Sequence, residues 1–315
     1  MNRDTSVVII GAGYAGILAA RLLSAQRGVH VALINPRTSF VERIRLHQVA
    51  ASTGAAEHSL VAAFDARSVA LVVGTALEID APHSAVHVQS AEGVQRVPYD
   101  YLVYAPGSAT AMDGVVGGRE HAFGLTGPDE ASRCSAALDA AARRSGSVVV
   151  CGGGLTAIET AAEIAETYPA LRVRLISASA IGGPLSSEAT RYVRGVLQRL
   201  GVEVDENVRV AEFRDGEVRL DGGAAVTSDV SFYFGGFAGP RLARDSGLET
   251  NARRQLIVDR SLRSKQWPSI LGAGDAAYAE SVHAADTMGC KYALQSGRYV
   301  ATAIADAIEG RETPA

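Results

Sequence analysis

The feature that most constrains the fold is a short apolar run that stops in a glycine-rich turn. Val7-Val8-Ile9-Ile10 is followed by Gly11-Ala12-Gly13-Tyr14-Ala15-Gly16. Consecutive β-branched residues without polar alternation suit a strand covered on both faces. The Ala/Leu-rich segment from Ile17 to Leu23 reads as a helix that Arg27-Gly28 stops, and Val29 to Asn35 as the next strand. In such a βαβ unit Gly11 permits the tight turn, Gly13 lets backbone approach a pyrophosphate, and Gly16 lets helix and sheet pack closely. The helix start, with Tyr14 and Ala15 in it, offers free N–H groups and partial positive charge to phosphate.

The pattern returns. Ser147 to Cys151 is a second buried-strand run, ending in Gly152-Gly153-Gly154-Leu155-Thr156-Ala157. A helix from Ile158 to about Thr167 follows, closed by Tyr168-Pro169, and Leu171 to Ser177 is the next strand. Ala157 stands where the third glycine would, a tolerated variant. A third strand–turn signal, Ser269 to Asp275, precedes a helix from about Lys291 to Glu309. The stretches Ala70–Val97 and Val218–Val230 read as short antiparallel strands. The fold class is α/β, with two Rossmann-like doubly wound domains carrying small antiparallel excursions.

The strand ends carry the nucleotide chemistry. An acid for ribose hydroxyls is usual there. The first strand end has Asn35, which accepts a hydrogen bond without charge, followed by Pro36 and Arg37. Arg37 suits a phosphate or an adenine face, and equally a solvated surface. The second has Ser177-Ala178-Ser179, with neither acid nor following Arg, so the choice between NADH and NADPH stays open.

Composition narrows the function classes. A chain of 315 residues suggests two domains, and a net charge of −4 provides no basic field for nucleic acid. Cys134, Cys151 and Cys290 are far apart, form no CxxC pair and read as thiols of a reducing compartment. His58, His83, His87, His121 and His283 show no metal spacing, so no metal is expected. No apolar stretch approaches the roughly 20 residues of a membrane span, and the N-terminus lacks a signal-peptide core. A cytoplasmic protein without integral membrane association is expected, with a homodimer left open.

Together the stretches VVIIGAGYAGILAARLL, INPRTSFVERIRLHQVA, YDYLVYAPGSAT, VVVCGGGLTAIETAAEIAE and SILGAGDAA resemble the two-dinucleotide-fold flavoprotein reductases. Within them the chain is most similar to type II NADH:quinone dehydrogenases and apoptosis-inducing-factor-like proteins. The resemblance implies an FAD domain formed by residues 1–111 and 241–315, with an NAD(P)H domain, 112–240, inserted in it. It places the FAD pyrophosphate on the first loop and the adenosine ribose on Asn35. The crossover Ala105-Pro106-Gly107 lies near the flavin, and Gly274-Asp275 at the ribityl chain. Arg45, His47 and Gln48 fall in a loop bordering the isoalloxazine. NAD(P)H is implied on Gly152, Gly154, Leu155, Thr156 and Ser177, with Glu159 facing the nicotinamide. A first-turn acid could also merely complement the helix dipole. At the acceptor side the family carries a glutamine pair, of which Gln295 is present and Lys291 replaces the other. The chain also stops soon after this helix, which argues against a membrane quinone.

The expected activity is an FAD-dependent NAD(P)H oxidoreductase, with hydride passing to flavin and on to a quinone or other small acceptor. The alternative is a specialised biosynthetic flavoenzyme oxidising its own substrate, with a reduced or repurposed nucleotide site. The cysteine count argues against a redox disulfide.

Overall fold

The computed structural model describes residues 4–64, 68–183, 185–279, 288–311 and 313. His283 and the terminal residues Met1–Arg3 and Pro314–Ala315 lie outside the described residues. The chain divides into two compact units: Met1–Phe40, His58–Ala109 and Ala238–Ala315 form one, and Val41–Glu57 with Thr110–Phe237 the other.

The first unit is built on a parallel sheet. In spatial order its strands are Ile270–Gly272, Tyr101–Tyr104, Thr5–Ile10, Val29–Asn35 and Val69–Val73. Val7 and Ile9 face helices Tyr14–Leu23 and Cys290–Ile308, while Val8 and Ile10 face Ile79, Val86 and Val88 of a three-stranded antiparallel meander. Every side chain of the run is therefore buried, which is why the sequence lacks alternation. The two helices cross at contact distance, since a Cβ on Gly297 would stand 2.5 Å from the Ala15 carbonyl oxygen.

The second unit repeats this plan. Its parallel sheet runs Glu203–Asp205, Arg172–Ile176, Ser147–Cys151, Val230–Tyr233. Val148 and Val150 pack under helices Pro128–Ala142 and Leu155–Thr167, whereas Val149 and Cys151 face a second antiparallel meander that includes Phe213 and Val218. In each unit the strand that follows the meander pairs with the first strand, which pairs with the second, which pairs with the third.

Three readings are corrected. Val69–Val73, read as antiparallel, pairs parallel with Val29–Asn35, from Val31↔Val69 to Asn35↔Val73. It is an unbroken apolar run at the edge of the parallel sheet, not part of a hairpin. Segment Val41–Glu57, placed above with the first unit, packs into the second, where Leu46, Ala50 and Ala56 join the core of Leu138 and Ala161. Helix Leu155–Thr167 starts three residues before Ile158, which puts Glu159 in its second turn. No helix among the described residues is long and apolar enough to cross a membrane.

Candidate functional site

In the first unit the glycine turn closes on the chain's own backbone. Gly11 has φ +97°, and a Cβ there would lie 2.4 Å from the Ala105 carbonyl oxygen. A Cβ on Gly16 would lie 1.9 Å from the Gly11 carbonyl oxygen. These two glycines are required by the crossover residues Ala105-Pro106 and by the helix seat. Gly13 is different. Its φ of −86° suits any residue, and a Cβ would meet nothing within 4 Å. Bare backbone here faces open space at the start of a helix with no side-chain cap and no acid in its first turn. That arrangement concentrates donor N–H groups and positive potential where a phosphate would sit.

Asn35 braces this turn. Its side-chain oxygen accepts from the Ala12 N–H at 3.1 Å, and its amide donates to the carbonyls of Arg37 at 2.7 Å and Ser39 at 3.4 Å. Both donors are thus used by the chain, leaving one acceptor lone pair. Pro36 is exposed beside it and Arg37 half-buried. Tyr14 packs edge-on against Phe40.

Gly274 and Asp275 form a second focus of the same unit. Asp275 accepts from the Ser108 hydroxyl at 2.7 Å and from the Gly289 N–H at 2.8 Å. Gln255, almost fully buried, donates to the carbonyls of Asp275 and Ala277. The Ser296 hydroxyl accepts from the Gly274 N–H. One carboxylate therefore ties the stretch after Gly107 to the start of the last helix. Gln255 and Ser296 were not legible as site residues, because each is an isolated polar residue in sequence, whereas Ser108 falls in the crossover stretch YDYLVYAPGSAT. On that helix Lys291 and Gln295 stand one turn apart on the exposed face, next to exposed Cys290.

The second unit holds the other loop. Gly152 has φ +146°, and a Cβ would lie 2.9 Å from the Phe234 carbonyl oxygen. Gly154, like Gly13, has an ordinary φ of −83° and open space where a Cβ would be, at an uncapped helix start without an acid in its first turn. Leu155 is exposed and Thr156 half-buried beside it. The dipole explanation of Glu159 weakens, because Glu159 lies beyond the first turn. Ser177 is buried and its hydroxyl accepts from the Ser179 N–H at 3.3 Å.

His47 lies 4.0 Å from Glu163, one turn beyond Glu159. Thr53 donates to the other oxygen of Glu163. Burial raises the Glu159 carboxyl above its ordinary range, and the His47 ring opposes the shift. Gln48 lies against Gly54, and exposed Arg45 pairs with Glu42 at 3.4 Å. Arg45, His47 and Gln48 thus fold with the second loop and not, as the domain boundaries implied, with the first.

All three cysteines are free. Cys134 and Cys151 are buried on opposite faces of the second sheet, and burial pushes both thiols well above their ordinary range. Neither is placed or poised as half of a redox pair. Among the described residues no group of three His, Cys, Asp or Glu could hold a metal ion.

Comparison with known proteins agrees with this architecture. The family model for pyridine nucleotide-disulphide oxidoreductases matches residues 5–289. A NADH dehydrogenase-like protein of Mycobacterium tuberculosis is 29% identical over 319 residues, covering 94% of this chain and 78% of the relative. Among solved structures, the sulfide:quinone oxidoreductase of Aquifex aeolicus superposes with a TM-score of 0.82 at 19% identity, over 97% of this chain and 77% of its own. A ferredoxin reductase of Rhodopseudomonas palustris gives 0.82 at 23% identity, over 99% and 78%. Those two likenesses show the fold. With two glycine turns on a repeated βαβ plan and a family model spanning both, the chain belongs to the pyridine nucleotide-disulphide oxidoreductase family.

Proposed function

We propose that this chain is an FAD-dependent NAD(P)H oxidoreductase that delivers reducing equivalents to a quinone or another small acceptor. One observation carries the reading. Gly13 and Gly154 are glycines that the chain's own packing does not require, each at an uncapped helix start facing open space. A side chain is missing where a pyrophosphate would lie, once in each unit, so the residues fit two dinucleotides.

The first unit takes FAD and the second the nicotinamide nucleotide. FAD, when bound, supplies the electron-carrying chemistry; the protein supplies binding, orientation and electrostatics. In the first unit the N–H groups of Gly13, Tyr14, Ala15 and Gly16 hold phosphate oxygens. Asn35 keeps the turn in shape and retains one lone pair for a ribose hydroxyl. Ala105, Pro106 and Gly107 wall the same side, and Asp275, held by Ser108 and the Gly289 N–H, accepts from a polyol hydroxyl. In the second unit Gly152, Gly154, Leu155 and Thr156 cradle the second pyrophosphate, and Ser177 lies at its ribose end. Desolvation raises the Glu159 carboxyl above the ordinary carboxylate range and the His47 ring opposes the shift, so this side chain is the proton-holding group beside the second loop.

Lys291 and Gln295 are the acceptor-side residues: a cation and an amide one turn apart favour a carbonyl or anionic acceptor. The M. tuberculosis relative is named as NADH dehydrogenase-like, which supports the donor. One similar structure is a sulfide:quinone oxidoreductase and another a ferredoxin reductase, so this fold accommodates more than one acceptor class. Anaerobic titration of the purified yellow protein with NADH and then NADPH tests the reading. Bleaching of the flavin band near ~450 nm by at least one is expected, and no bleaching by either overturns it.

A further inference from the structure

The second strand end carries no acid, yet a carboxylate from the end of the neighbouring strand reaches the loop that follows it, at Ile181. Strands Arg172–Ile176 and Glu203–Asp205 pair in parallel, with Ile176 opposite Asp205. The Ser177 N–H donates to the Asp205 carbonyl at 2.8 Å, so Glu206 follows directly beside the ribose position. Glu206 Oε1 accepts from the Ile181 N–H at 2.7 Å and from Arg194 Nη2 at 2.6 Å. The Gly182 N–H in turn donates to the Gly153 carbonyl at 2.8 Å, which seats this loop against the glycine turn. The neighbouring acid Asp205 is already engaged by Arg174 at 2.5 Å.

Resting on the reading of the second unit as the nicotinamide nucleotide domain, we propose that Glu206 selects NADH over NADPH. Discrimination between the two is made at the 2′ position, where an acid suits a hydroxyl and an arginine suits a phosphate. Here both are present and paired. Glu206 places negative charge on the loop that embraces the ribose. It also occupies Arg194, the guanidinium that would otherwise be available to a 2′-phosphate. The sequence hid the device, because the acid lies 29 positions past Ser177 and reaches it only through sheet pairing.

The test separates charge from loop pinning. Glu206→Gln keeps a carbonyl oxygen for the Ile181 N–H while removing the charge. Calorimetric binding of AMP and of 2′,5′-ADP, which differ only by the 2′-phosphate, to the flavin-loaded protein gives a readout independent of turnover. The wild type should favour AMP by about tenfold or more, the order of one partly screened charge interaction in each direction. Glu206→Gln should bring the two ligands to near parity by tightening 2′,5′-ADP, with kcat/KM for NADPH rising in parallel. Arg194→Met, which removes the cation and keeps the acid, should widen the preference for AMP. A wild type that binds both equally, or a ratio unmoved in both variants, overturns the assignment. If neither ligand binds and neither NADH nor NADPH bleaches the flavin, the nucleotide reading of the unit falls with it.

Discussion

The two glycine turns share a topology and differ in what holds them. In the first unit the turn is locked by backbone against backbone: Gly11 under Ala105 and Gly16 on Gly11, with Asn35 bridging Ala12 to Arg37. In the second, Gly152 closes on the Phe234 carbonyl and the Gly182 N–H holds the Gly153 carbonyl, but Ala157 fills the third position at full burial, and Ser177, whose hydroxyl accepts from the Ser179 N–H, stands where Asn35 does in the first. A ligand that stays bound through many turnovers is served by a rigid, preorganised seat, and one that enters and leaves by a looser one. The contrast fits a resident flavin in the first unit and an exchanging nucleotide in the second.

The largest effect should come from closing the tighter turn. Gly16→Ala puts a methyl group onto the Gly11 carbonyl with no room to shift, and should destabilise by more than about 3 kcal/mol with loss of bound flavin. The reverse change in the other turn, Ala157→Gly, should cost about 1 kcal/mol and leave the flavin in place. Thermal denaturation with the visible spectrum reads both, and equal losses would break the contrast.

A second pair separates the two ligands without disturbing the fold. Gly13→Ala and Gly154→Ala each add a methyl group to open space at an ordinary φ. Stability should move by less than about 0.5 kcal/mol in either. Gly13→Ala should purify with little flavin, whereas Gly154→Ala should stay yellow and need about tenfold more nucleotide for half-maximal reduction. Flavin loss in both, or in neither, removes the distinction.

A third comparison sets the two braces side by side. Asn35→Ala leaves the Ala12 N–H without its acceptor and should cost about 1–2 kcal/mol, with weaker flavin retention. Ser177→Ala loses only a long bond to Ser179 and should cost less than about 1 kcal/mol. Urea denaturation of the two variants compares them directly.

The smallest effect is a pH dependence at Glu159. Its folded pKa is raised by burial, so the folded state holds the proton to higher pH than the unfolded chain does. Stability is therefore lost as pH climbs from the ordinary carboxylate range through the raised value. Glu159→Gln should gain stability at neutral pH and none in acid below that range. Solvent around this side chain keeps the gain under about 0.5 kcal/mol. Melting temperatures at acid and neutral pH give the sign, and a gain confined to acid would contradict it.

Local signals in the sequence were strong where both faces of a strand are covered and where backbone must turn without a side chain. Val7 to Ile10, Ser147 to Cys151 and the turns after them were legible for those reasons. Two helices were not. Pro128–Ala142 carries Ala131, Cys134, Leu138 and Ala141 on its buried face, a helical period in which Leu138 is the one large apolar side chain, and so weak in hydrophobic contrast. Ser187–Arg199 buries only Leu197 fully. The antiparallel stretches were read from alternation, and the apolar run Val69–Val73 was absorbed into one of them although it pairs in parallel as an edge strand.

By itself, then, the sequence determined the α/β class, the two dinucleotide turns and their order along the chain. Those features depend on β-branched runs, glycines and helix starts within about ten residues of each other. Tertiary structure alone decided that Val41–Glu57 folds with the second unit. It also gathered Asp275, Ser108 and Gly289 at one point, and set Glu206 beside Ser177. Each of these joins residues brought together by sheet pairing or core packing, interactions whose partners no local pattern identifies.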